Sequence, residues 1–238
     1  MVDGRDMDTR KRSDTVRKRL EKAYGRPIND NPSDPLSALV HTILSQNTTD
    51  VTSERAWKAL RRSYRSWRSL ANASPQELAE TIRVSGLSRL KAERILGALA
   101  DIERLTGKLS LDFLRDMSEE AVDGWLSQLK GVGPKTRAII LLFSLRKKAF
   151  PVDTHIFRVA KRLGFVRQVA SREEIQKMMA SLVRPSDYYS YHINLIEHGR
   201  AVCSARVPRC FSCVLSDICP WSEKKKYVRE SNSKVKAK

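Results

Sequence analysis

Helix-start signals recur along this chain more densely than any other local feature, and they restrict it to a helical fold. In "SPQELAETI", Ser74 precedes Pro75 and stands three residues before Glu77, so hydroxyl and carboxylate can satisfy each other's free amides. Ser171 and Glu174 repeat the arrangement in "SREEIQKMM". "NPSDPLSALVHTILSQ" offers Ser33 or Asp34 as a cap and Pro35 in the first turn, followed by Leu36, Leu39, Val40, Ile43 and Leu44 at helical spacing. Ile95, Leu96, Leu99 and Ile102 form another stripe, which Gly107 can end. Strand signals are scarce and no period repeats. The expected class is an all-α globular bundle, not a solenoid.

A chain of 238 residues allows one large domain or two modest ones, with two favoured. Its 45 Lys and Arg against 27 Asp and Glu leave a formal charge of +18, a field that attracts polyanions. Nucleic acid is the leading partner. An acidic membrane surface is the rival, but there is no apolar run of spanning length and the N-terminus lacks a signal-peptide pattern, so a soluble intracellular protein is expected. Residues 1–13 and the lysine-rich 223–238 are polar enough to be expected disordered. Basic residues also stud the helical part between them.

"LKGVGPKTRAII", residues 129–140, sits between an amphipathic run and an apolar one. Before it, Val122, Trp125, Leu126 and Leu129 mark a helix ending near Lys130; after it, "AIILLFSL" reads as a buried helix with Pro134 at its start. The unit is a helix-turn-helix hairpin over about 121–143. Gly131 and Gly133 allow positive φ and close backbone approach, while the second helix presents free amides to a phosphate oxygen. A nucleotide-binding P-loop is a poor fit, because Pro134 precedes Lys135 and a helix, not a strand, comes first. On the glycines alone, an ordinary tight turn and a phosphate site are equally good readings.

All four cysteines fall at Cys203, Cys210, Cys213 and Cys219, a C-x6-C-x2-C-x5-C run. Disulfides are disfavoured in an intracellular chain of this size, leaving metal. Four thiolates suit zinc or a 4Fe-4S cluster, and spacing does not choose between them. Arg206 and Arg209, in the loop between the first two cysteines, are solvated charge or phosphate contacts.

Taken together, "GVGPKT", "PVDTHIFRVAKRLGF" and the cysteine run preceded by "EHGRAVC" closely resemble the endonuclease III family of helix-hairpin-helix DNA glycosylases, over roughly residues 14–222. The resemblance implies a six-helix barrel over 28–147, beside a second helical domain from 14–27 plus 148–222 that wraps a 4Fe-4S cluster on the four cysteines, with a cleft between. It implies Lys135 and Asp153 as the catalytic pair and Asn47 and Leu87 as side chains inserted into DNA. The implied partner is double-stranded DNA with damaged bases or abasic sites, bound by a monomer. Many relatives carry Gln where Asn47 stands.

Breaking the bond from sugar C1′ to a base builds positive charge that a carboxylate such as Asp153 steadies. A lysine amine can attack C1′ and form a Schiff base, from which elimination cuts the strand. A lysine near pKa 10.4 is neutral roughly one part in a thousand at neutral pH, so Lys135 is expected to be depressed by a helix N-terminus and an apolar cleft. Asp153 doubles as the cap of a helix opening "THIFR". The target base must be flipped out, and Leu87 is a suitable apolar wedge. Thr48, Thr49 and Asp50 read as helix caps.

Adenine-mismatch glycosylases carry a glutamate where this chain has His41 and lack the lysine. Mismatch-specific thymine or uracil glycosylases of the same build, and relatives acting on 5-methylcytosine, are not set apart by the shared motifs, because pocket residues choose the base. A noncatalytic helix-hairpin-helix binder would lack Lys135 or Asp153; an electron-transfer protein would need neither the hairpin nor the charge. Because the charge is distributed, deleting 223–238 is expected to leave salt-dependent duplex binding in place. Affinity titrations at two ionic strengths test this, and loss of all binding would contradict it.

Overall fold

A computed structural model describes residues 4–228. The chain divides into two compact units, Met1–Asp30 with Lys148–Lys238, and Asn31–Lys147. The first begins with α1 (Gly4–Tyr24). The second holds α2 (Pro35–Ser45), α3 (Asp50–Ser63), α4 (Trp67–Ala71), α5 (Pro75–Thr81), α6 (Ser88–Thr106), α7 (Glu119–Ser127) and α8 (Pro134–Ile139). The chain then returns to the first unit with α9 (Thr154–Arg162), α10 (Arg172–Leu182) and α11 (Tyr188–Ala201). No strand occurs among the described residues, and none of their helices is long and apolar enough to cross a membrane.

The caps form as local chemistry dictates. Asp34 accepts from the Ser37 amide with Pro35 in the first turn, and Ser74–Glu77 and Ser171–Glu174 close reciprocal boxes. Gly107, at φ 72°, ends α6 in the left-handed region that glycine takes without penalty. In the Asn31–Lys147 unit, α2 is the central element. It packs on α3, α6 and α8 and buries Leu36, Leu39, Val40, Ile43 and Leu44. Ile95, Leu99 and Ile102 of α6 are fully buried, whereas Leu96 is only half-buried.

Of residues 1–13, expected to be disordered, 4–13 belong to a helix and 1–3 lie outside the described residues. Helix α1 runs from Gly4, and Ser13, Val16 and Leu20 are buried. Pairs spaced one turn apart, Asp8–Arg12 and Asp14–Lys18, favour the helix, and the Tyr191 hydroxyl donates to Ser13 O. Composition alone hid these contacts. Of the tail expected to be disordered, 224–228 form a helical turn and 229–238 lie outside the described residues.

Helices α9 and α11 approach so closely that a Cβ on Gly199 would stand 2.8 Å from His155 Cβ. This explains the glycine of "EHGRAVC" by packing. Gly199→Ala is expected to destabilise the fold by roughly 1–3 kcal/mol through overpacking, read by chemical denaturation. Unchanged stability would contradict the packing.

Candidate functional site

Within the Asn31–Lys147 unit, three segments are built from chain turns that follow helix ends. The first is the turn between α7 and α8. Gly131 adopts φ 82°, in the left-handed region that favours glycine, and the site of its missing Cβ lies 3.6 Å from the Arg94 stem. Gly133 differs from expectation: its φ is −80°, an ordinary extended geometry, and an added Cβ would meet nothing within 4 Å. Only one of the two glycines is needed for the turn itself. Arg137 staples the hairpin by donating to Asp123 Oδ1 at 2.7 Å and to Val132 O at 3.3 Å.

Lys135 lies in the first turn of α8 and is exposed. The apolar walls expected around this amine are not supplied by the hairpin, whose turn from Gly133 to Lys135 faces water. Beyond it, "ILLFS" at 140–144 winds as a π-helix with Ile140, Leu141, Leu142 and Ser144 buried. The apolar run therefore anchors the hairpin in the core, as its composition requires.

The second and third segments carry Asn47 and Leu87. Both residues have left-handed backbones, with φ 52° and 51°, and both are exposed; Leu87 is 57% exposed. A non-glycine residue held there costs on the order of 1–3 kcal/mol, so the surrounding structure must enforce it. For Leu87 the cost includes leaving a large apolar side chain in water. Asn47 is followed by a true cap: Thr49 forms a reciprocal box with Thr52, while Thr48 bonds the Thr52 hydroxyl at 2.6 Å. Leu87 occupies the N-cap position of α6 and makes no side-chain cap bond.

Sequence reasoning missed the residues that enforce these turns. Lys91, only 1% exposed, donates 2.7 Å bonds to Leu44 O and Ser85 O. Burial lowers its pKa from the ordinary lysine value. Arg94, one turn further along α6, donates to Gln46 Oε1 at 2.6 Å. Their partners are far away in sequence or are backbone atoms, so no local pattern announces them. His41 of α2 lies edge-on to Trp57 at 5.5 Å, with Nε2 3.7 Å from Glu54 Oε2; burial lowers its pKa.

In the other unit, Asp153 is the N-cap of α9 and accepts from the Ile156 amide at 2.7 Å through Oδ1. The four cysteines, with His198, Arg162 and Trp221, line one cavity walled by Val159, Leu163, Val202 and Leu215. No three His, Cys, Asp or Glu side chains among the described residues are grouped closely enough to grip a single ion; the thiols lie around the cavity instead. Burial pushes the thiols of Cys210, Cys213 and Cys219 up, Cys213 to about 11.

Donors nonetheless face the sulfurs. The Leu215 amide is 3.4 Å from Cys213 Sγ and the Arg162 guanidinium 3.3 Å from Cys203 Sγ. Arg158 and Arg162, spaced one turn apart on α9, also bond Cys203 O and Ser204 O and so shape the cysteine loop, a role sequence reasoning did not assign. Arg206 and Arg209 are exposed on that loop.

Residues 40–185 match the family described as HhH-GPD superfamily base excision DNA repair protein. The chain is 35% identical over 193 residues to the endonuclease III of Thermotoga maritima, covering 81% of this chain and 86% of that one. A longer relative from Arabidopsis thaliana is 34% identical over 203 residues, and the match spans 65% of its length. Among solved structures, a non-covalent endonuclease III–DNA complex superposes with a TM-score of 0.79 at 28% identity, covering 92% of this chain and 98% of that chain.

The cap geometry separates two roles at Asp153. Asp153→Ala is expected to cost about 1 kcal/mol of stability and Asp153→Asn only a few tenths, because the amide oxygen can still accept from Ile156. Equal losses in thermal melts would contradict the cap.

Proposed function

This chain belongs to the HhH-GPD superfamily of base excision DNA repair proteins, in its endonuclease III family, and from that membership we propose a bifunctional DNA glycosylase and AP lyase. Its substrate in this reading is duplex DNA carrying oxidised pyrimidines or abasic sites. One observation carries the proposal: Leu87 is held apolar side outward in a left-handed turn with no cap bond, an arrangement that gains nothing in water. An apolar side chain so presented can enter a base stack and fill the space of an extruded nucleotide. Asn47, exposed and similarly held, meets the opposite strand.

In this mechanism the Lys135 amine donates its lone pair to C1′ as the C1′–N bond breaks and the base leaves with the bonding electrons. Opening of the sugar ring gives a Schiff base. Loss of a C2′ proton then expels the 3′ phosphate, cutting the strand. The Asp153 carboxylate steadies the positive sugar and keeps one oxygen engaged at the helix terminus. Because Lys135 is exposed, exclusion of water from the reacting amine has to come from the bound nucleotide. Gly131 shapes the turn that seats the DNA backbone, and Gly133 offers an unobstructed surface beside it. Arg206 and Arg209 add phosphate contacts.

The four cysteines suit a 4Fe-4S group: the donor set is all thiol, one cavity collects all four, and N–H groups face two of the sulfurs. Bound there, the group supplies a cross-link among Cys203, Cys210, Cys213 and Cys219. The expected preparation is brown with broad visible absorption. A colourless protein, purified without air and containing zinc, would contradict the assignment.

The activity is tested with duplexes bearing thymine glycol, dihydrouracil, uracil opposite guanine or an abasic site, each with borohydride added. A covalent adduct is expected with the oxidised pyrimidines and the abasic site, and none in Lys135→Ala. Asp153→Asn should slow excision by roughly 10²–10³-fold. Strand cutting that persists unchanged in Lys135→Ala would overturn the lyase reading; excision of uracil opposite guanine alone would move the substrate to mismatches.

A further inference from the structure

We propose that Lys91 is a positioning residue that holds the two DNA-inserting turns in fixed relation; this rests on the reading that Asn47 and Leu87 enter the duplex. Its ammonium bonds Leu44 O, next to the last residue of α2, and Ser85 O, at the end of the 3-10 turn Arg83–Ser85. Both carbonyls stand at the negative ends of helical segments, where a cation is favoured. One buried charge thus joins two chain ends from different parts of the sequence. From these anchors the chain runs within a few residues to Asn47 and to Leu87, both held in left-handed backbones.

The anchoring is closed on itself. The Lys91 amide bonds Leu87 O at 3.0 Å, so the wedge residue is tied both through the backbone of α6 and through the ammonium at Ser85. Arg94 extends the same face of α6: its guanidinium holds Gln46 beside Asn47, and its stem lies against Gly131 of the hairpin. A lysine that served only to cap helix ends could do so at the surface, where no desolvation is incurred. Here it is 1% exposed between the two turns that the reaction needs to move together into DNA.

The test is a double-mutant cycle on single-turnover excision from a thymine glycol duplex with enzyme in saturating excess, where the rate does not depend on the fraction folded. Lys91→Met and Leu87→Ala are each expected to slow excision by at least about tenfold. The double variant should be no slower than the slower single one, because Lys91 acts through the turns that carry Asn47 and Leu87. In the same variants, 2-aminopurine opposite the lesion should lose the fluorescence change that reports filling of the vacated space. If Lys91→Met does not fold, Lys91→Gln, which keeps a buried donor, is put through the same cycle. Multiplicative losses, or an unchanged rate on removing Lys91, would overturn the proposal. A Leu87→Ala variant as fast as the parent would instead sink the inserted-wedge reading on which it rests.

Discussion

A helix end leaves about four amides or four carbonyls without partners, and the residues proposed to act on DNA are found where those groups are satisfied. Asp153 accepts the Ile156 amide in the first turn of α9, Lys135 rides in the first turn of α8, and Leu87 stands immediately before α6. Lys91 answers the carbonyls at two helical C-termini. An all-α chain has few other places to display polar chemistry, because its helix bodies are committed to packing. The functional surface is therefore a set of turns, each fixed by the helices on either side.

Rigidity at those turns depends on burial behind them. The hairpin is held by its π-helical continuation, which buries Ile140 to Leu142, and by the Arg137–Asp123 pair across it. The turns bearing Asn47 and Leu87 are held from within by Lys91 and Arg94. In the other unit, Arg158 and Arg162 do comparable work for the cysteine loop through backbone carbonyls. Buried or half-buried cations bonded to carbonyls recur in all of these places, so part of the +18 charge organises the fold and the remainder is available to a polyanion.

Much of this was legible because it is local. The caps at Asp34, Thr49, Ser74, Asp153 and Ser171 follow from residues three apart, and the stripe of α2 from its spacing. What was missed depends on distance. The part of helix α1 up to Ser13 looked disordered by composition, yet ion pairs and the burial of Ser13, Val16 and Leu20 order the helix from Gly4. The left-handed turns at Asn47 and Leu87 carry no glycine at those positions, so tertiary contacts alone decide them. Gly133, which looked conformationally necessary, is not, and Lys135 proves exposed where an enclosing wall was expected.

The central claim is that one amine, on the exposed first turn behind Gly131, becomes joined to deoxyribose. Peptide mapping by mass spectrometry of the borohydride-reduced protein–DNA adduct, after digestion of both partners, tests it directly. The sugar remnant is expected on the peptide containing Lys135 and at that side chain. A remnant on any other lysine, or on the N-terminal amine, would contradict the account.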